Sequence, residues 1–140
     1  MGTKAALTAG TTAVALLLLL AGCSATPESL ESKSDNVSQN YADNYEEVYR
    51  RLTSTARRCV TGGTNAARNE VVSNLHQELG FAVVRFVVIG VFADNYFLSA
   101  KIEKMGSGSR VSVKTNNPII SDRLNKKVFR WAGGDQECNP

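Results

Sequence analysis

Apolar positions follow three rhythms along this 140-residue chain. At the start they run almost unbroken, with Ala5 to Leu20 forming an apolar block behind Lys4. From Tyr41 to Val60 the rhythm becomes helical. Tyr41, Tyr45, Val48, Leu52, Ala56 and Cys59 recur every three or four positions and share one stripe. Asn40 offers a cap at the start of this segment, and Gly62-Gly63 stops it. The period then shortens towards two. Glu70 to Gln77 reads as a strand, and Glu78-Leu79-Gly80 as a turn. Tyr96 to Met105 and Arg110 to Thr115 alternate apolar with polar residues, joined by a hairpin at Gly106-Ser107-Gly108-Ser109. Helical spacing returns at Ile120, Leu124, Val128 and Trp131, behind Asn117-Pro118 and ahead of Gly133-Gly134.

Phe81 to Phe92 is the densest β-branched and aromatic run, interrupted by Arg85 and Gly90. Phe81, Val83, Val87 and Ile89 occupy one alternating set, and Val84, Phe86 and Val88 the other. A strand apolar on both faces belongs at the centre of a sheet. Short links between strands require antiparallel pairing. The expected fold is therefore α+β and two-layered. A three- to four-stranded antiparallel meander carries an N-terminal and a C-terminal helix on one face. With both helices on one side, Val84, Phe86 and Val88 are a possible partner surface; the alternative is that the tether, loops or a barrel-like curl of the sheet covers them.

Ser24 to Asn40 holds Ser, Asn and acids with little to bury, which predicts a disordered tether spanning about 20–25 Å. The expected organisation is residues 1–22 removed as a signal, 23–40 a tether and 41–140 one domain. Past residue 22 lie all thirteen acids and fifteen of the sixteen Lys and Arg, so the mature net charge is +2. Near-neutrality gives no basis for nucleic-acid binding.

The first segment has the layout of a secretory signal: a positive start, an apolar middle and small residues before a cut. Its end, Leu20-Ala21-Gly22-Cys23, resembles the lipobox of bacterial lipoproteins. That resemblance implies a diacylglyceryl thioether on Cys23, cleavage before it and acylation of the new amino end. It also implies a membrane partner through this N-terminal lipid anchor. With Ser24 rather than Asp after the cysteine, lipoprotein behaviour implies the outer membrane, facing the periplasm. In a cell with one membrane the same anchor sits on the outer face of the cell membrane. An ordinary cut after Ala25 and an uncleaved membrane helix are the alternatives.

Two cysteines remain, Cys59 and Cys138. In an exported chain a single disulfide accounts for them most simply. A metal or redox pair is the alternative, but there is no Cys-x-x-Cys and His76 is the only histidine.

The body resembles short proteobacterial envelope lipoproteins of unassigned activity. The matching residues are Tyr49-Arg50-Arg51 and Arg57-Arg58-Cys59, then Trp131, Gly134-Asp135 and Cys138. The layout also looks like the helix-grip modules of accessory lipoproteins in outer-membrane assembly. No nucleophile motif, carboxylate pair or metal set stands out, and His76 reads as a surface or structural residue. Gly106 to Arg110 reads as a hairpin and not a phosphate loop. Arg50, Arg57 and Arg58 could share a side and meet phosphates, or pair with Glu46 and Glu47. The sequence therefore leads to a non-enzymatic envelope module without cofactor, binding an envelope protein partner. A carrier of a lipid or other apolar ligand is the alternative.

Overall fold

The computed structural model describes residues 25–33 and 36–139. Six strands form one fully antiparallel sheet, in the order β1-β6-β5-β4-β3-β2. The expected meander is its centre: β3 (Ala67–His76), β4 (Phe81–Gly90), β5 (Asp94–Met105) and β6 (Gly108–Thr115). A 3-10 turn at Gln77–Leu79 links β3 to β4, closed by Gly80 in the left-handed region at φ +68°. The β4–β5 pairing shifts register between Phe86 and Val87.

Two strands were not expected, and both lie at edges. Gly62–Gly63 forms a short β2 on β3. Val37–Tyr41 forms β1 on β6. This second strand corrects the expectation of a tether up to Asn40. β1 is held by backbone pairing, by Ser38 Oγ at 2.9 Å from Ser112 Oγ, and by Arg110 Nε donating to Asn40 Oδ1 at 3.0 Å. Such contacts need no apolar period, so a polar edge strand leaves little trace in the pattern. A side chain at Gly108 would collide with the Tyr41 carbonyl, so glycine permits this close pairing.

The long helix α2 spans Tyr45–Val60, four residues later than its stripe suggested. Asn44, not Asn40, is its cap, accepting from the Glu47 amide at 2.9 Å. Tyr41 ends β1, and its hydroxyl donates to the Phe129 carbonyl at 2.8 Å. The last helix, α3 (Ser121–Ala132), packs beside α2. Both helices cover the sheet face that carries Ala82, Val84, Phe86, Leu98, Ala100, Ile102, Val111 and Val113.

That arrangement corrects the expected partner surface. Val84 and Phe86 are fully buried beneath the helices, and Val88 on the same face is half-buried. The alternation was sound, but the helices cover the opposite set from the one assumed. The reason is size and neighbours. Phe86 lies against Phe97 and Trp131, with ring centroids 6.0 and 6.4 Å away, forming an aromatic centre that only the helix side can enclose.

Candidate functional site: the N-terminal strap

The sheet's other face carries Val83, Arg85, Val87, Ser99, Lys101, Ser112 and Lys114, by strict alternation with the core set. Part of it is covered by α1 (Pro27–Glu31), which packs on β5 and β6. Local chemistry explains this short helix. Thr26 caps it, its hydroxyl accepting from the Ser29 amide at 3.2 Å, and Pro27 opens the first turn. Leu30 is wholly buried, although it belongs to no helical stripe. The Ala25 carbonyl accepts from the Tyr96 amide at 2.8 Å, fixing the strap's first described residue to the start of β5.

Glu31 is the strap's polar fastening. Its Oε1 accepts from Ser99 Oγ at 2.8 Å and from Arg85 Nη2 at 3.3 Å. Lys114 Nζ donates to its backbone carbonyl at 2.5 Å. Arg85 and Ser99 face each other in the β4–β5 register, so one carboxylate bridges two adjacent strands. Ser99 is buried, and Arg85 Nε is buried without a hydrogen-bond partner. The arginine that interrupts the apolar β4 run is therefore the strap's receptor. A capping residue, then proline, then acid at Thr26-Pro27-Glu28 was the available sequence signal for this element.

Putting an aspartate at Leu30 should release the strap. Hydrogen exchange should show protection at residues 27–33 falling at least about tenfold, with α2 unchanged. Equal protection in the Leu30→Asp variant would rule out Leu30 as the fastening.

The remaining expected sites fall elsewhere. Cys23 and the signal lie outside the described residues. Cys59 and Cys138 are bonded to each other, tying the end of α2 to the tail beyond α3. That tail is held further. Trp131 Nε1 donates to the Glu137 carbonyl at 2.9 Å, and Arg130 Nε to Asp135 Oδ2 at 2.9 Å. The Asp135 carboxyl lies below its ordinary range, because it accepts from the Glu137 amide and from Arg130.

His76 is exposed at the end of β3, its ring 4.5 Å from that of Phe81. Among the described residues no group of His, Cys, Asp or Glu is arranged to hold a metal. The arginines of α2 have partners within the protein. Arg50 pairs with Glu47, Arg57 Nη2 donates to Ser73 Oγ at 3.0 Å, and Arg58 donates to the Gln136 carbonyl. A groove between α2 and β3 is lined by Tyr49, Arg50, Thr53, Arg57 and Leu75, among others.

Fold and site together define a single-sheet antiparallel α+β domain with an N-terminal strap. No protein-family model matches the sequence. No curated protein matches it either. Among solved structures, the chain is similar to Ara h 8.0201 at 7% identity and a TM-score of 0.41, over 71% of this chain and 95% of that one.

Proposed function

We propose that this protein is a lipid-anchored, non-enzymatic module of the bacterial envelope. Cys23 would be the acylated residue and the domain would face the periplasm, or the cell exterior where there is one membrane. The observation that carries this reading is Leu20-Ala21-Gly22-Cys23 directly behind an apolar block. Two or three acyl chains on one cysteine would hold the protein stably, since each buried methylene contributes about 0.8 kcal/mol. Among the described residues no helix is long and apolar enough to cross a membrane.

The domain's task would be to bind an envelope protein. The α2–β3 groove, which mixes an apolar floor at Leu75 with the charges of Glu46, Glu47 and Arg50, suits a partner of mixed polarity. The carrier reading has weaker support. Leu52, Phe86, Leu98, Val128 and Trp131 fill the space between sheet and helices, each at most 2% exposed.

Labelling with radioactive palmitate tests the anchor. The native chain should incorporate label and sediment with membranes, and a Cys23→Ala variant should do neither. Equal labelling and membrane retention in the variant would overturn the reading.

A further inference from the structure

Seven large apolar residues are exposed among those described, and four of them sit at one end of the sheet. Val91 and Phe92 form the link between β4 and β5, at 68% and 100% exposure. Ile119 and Ile120, at 89% and 37%, follow the end of β6. The chain between is turned back onto β5, with Asn116 donating through its amide to the Phe97 carbonyl at 3.3 Å and through Nδ2 to the Tyr96 carbonyl at 3.0 Å. Val37, 50% exposed, begins the edge strand β1 opposite Val113, level with the middle of β4 and β5. The other two, Leu79 and Met105, lie at the opposite end, beside the β3–β4 and β5–β6 turns. Single exposed apolar residues are ordinary, but a convergence of several is not.

The strap enters at this end. Ala25 is bonded to Tyr96, two residues into β5. Cys23 is two residues upstream of Ala25, and two residues of extended chain reach at most about 7 Å. An acyl group on Cys23 would therefore be joined to the strap by only two residues of chain, with no long spacer.

We infer that this end of the sheet, led by Phe92 and Ile119, is a contact surface for the phospholipid bilayer that seats the domain directly on the membrane. The inference rests on the anchor reading and adds an orientation to it. The sheet stands with its β4–β5 end down, and the turns at Gly80 and Gly106 point away from the lipid. Asp94 and Asp122 lie at the same end as the tips. Their carboxylates hold penetration to the headgroup boundary, because a charge in the hydrocarbon is costly. The apolar tips then add to what the acyl chains supply.

Quenching of tryptophan fluorescence by phospholipids brominated in the acyl chain tests this on the full lipidated protein in phosphatidylcholine vesicles. Trp131 is the chain's only tryptophan and is 2% exposed, so it gives a constant background. The added emission of a Phe92→Trp variant should be quenched at least about twofold, because an interfacial side chain sits roughly 5–10 Å into the headgroup–acyl boundary. An Ile119→Trp variant should behave alike, and Leu79→Trp should not be quenched. All three positions are exposed, so none of the substitutions disturbs the core. If the protein floats with the vesicles and carries acylated Cys23, but Phe92→Trp and Ile119→Trp are no more quenched than Leu79→Trp, the contact surface is wrong and the anchor stands. If mass spectrometry finds no acyl group on Cys23, the anchor falls and this inference falls with it.

Discussion

A Phe86→Ala variant should unfold about 3–5 kcal/mol more easily than the native chain, the usual cost of emptying a packed aromatic site. Phe86 is 1% exposed and is the largest fully buried side chain of the core. Phe97 and Trp131 flank it from β5 and α3, so removing the ring leaves a space bordered by two rigid aromatic groups that collapse poorly. Val88, two positions along the same face and half-buried, should cost only about 1 kcal/mol when cut to alanine. Urea unfolding of both variants measures the contrast. A change within about 0.5 kcal/mol for Phe86→Ala would mean the residue is on the surface, one of the two states the sequence pattern leaves open.

The second large effect concerns the bridge. Replacing Cys59 and Cys138 together with serine should cost about 2–5 kcal/mol, because the bond closes a long loop and its loss frees the unfolded chain. The sequence separation is 79, so almost the whole described domain after α2 lies inside the loop. For a domain of this size that corresponds to a fall in Tm of roughly 10–25 °C. The double variant avoids leaving one reactive thiol behind. Retained side-chain contacts around Trp131 and Arg130 should keep the tail near its place in the folded state, so the loss should show in stability more than in shape. Equal urea midpoints for the native and double-serine chains would show that the bridge adds nothing.

These effects reach the same core from two directions. Phe86 fills the interface between sheet and helices, and the disulfide ties α2 to the tail that follows α3. The strap is a different kind of element. It rests on one buried leucine and a few polar contacts, so it should open long before the core does. In the proposed setting it is also the segment that links the domain to its anchor. A weak strap next to a membrane-seated end would let the domain tilt without unfolding.

Much of this architecture was legible in the pattern of residues. The stripe Tyr45, Val48, Leu52, Ala56 is the buried side of α2, and the four central strands fall where alternation or dense β-branching placed them. Cys59 and Cys138 were paired on the number and setting of cysteines, and the bond is present. Three features escaped. Asn44, not Asn40, caps α2, since both are asparagines and only the path of β1 chooses between them. β1 and α1 read as tether in the sequence, because polar side chains and a single Leu30 carry no period. Whether Val84 and Phe86 are covered stays open in the sequence, because alternation separates two faces without saying which one is covered.

The order of the two long helices and four central strands, the central position of Phe81 to Gly90 and the bridging of the two late cysteines are readable from the residues alone. Those follow from local periodicity and from a count. Packing in three dimensions is what puts Val84 and Phe86 under the helices, and Ala25 to Glu31 across the opposite face onto Arg85 and Ser99. It also places Phe92 and Ile119 at the end of the sheet where the strap begins. Such facts depend on contacts between residues some 20 to 90 positions apart in sequence, made by backbone groups and single side chains. A one-dimensional pattern records what each residue prefers to touch, but not which partner reaches it first.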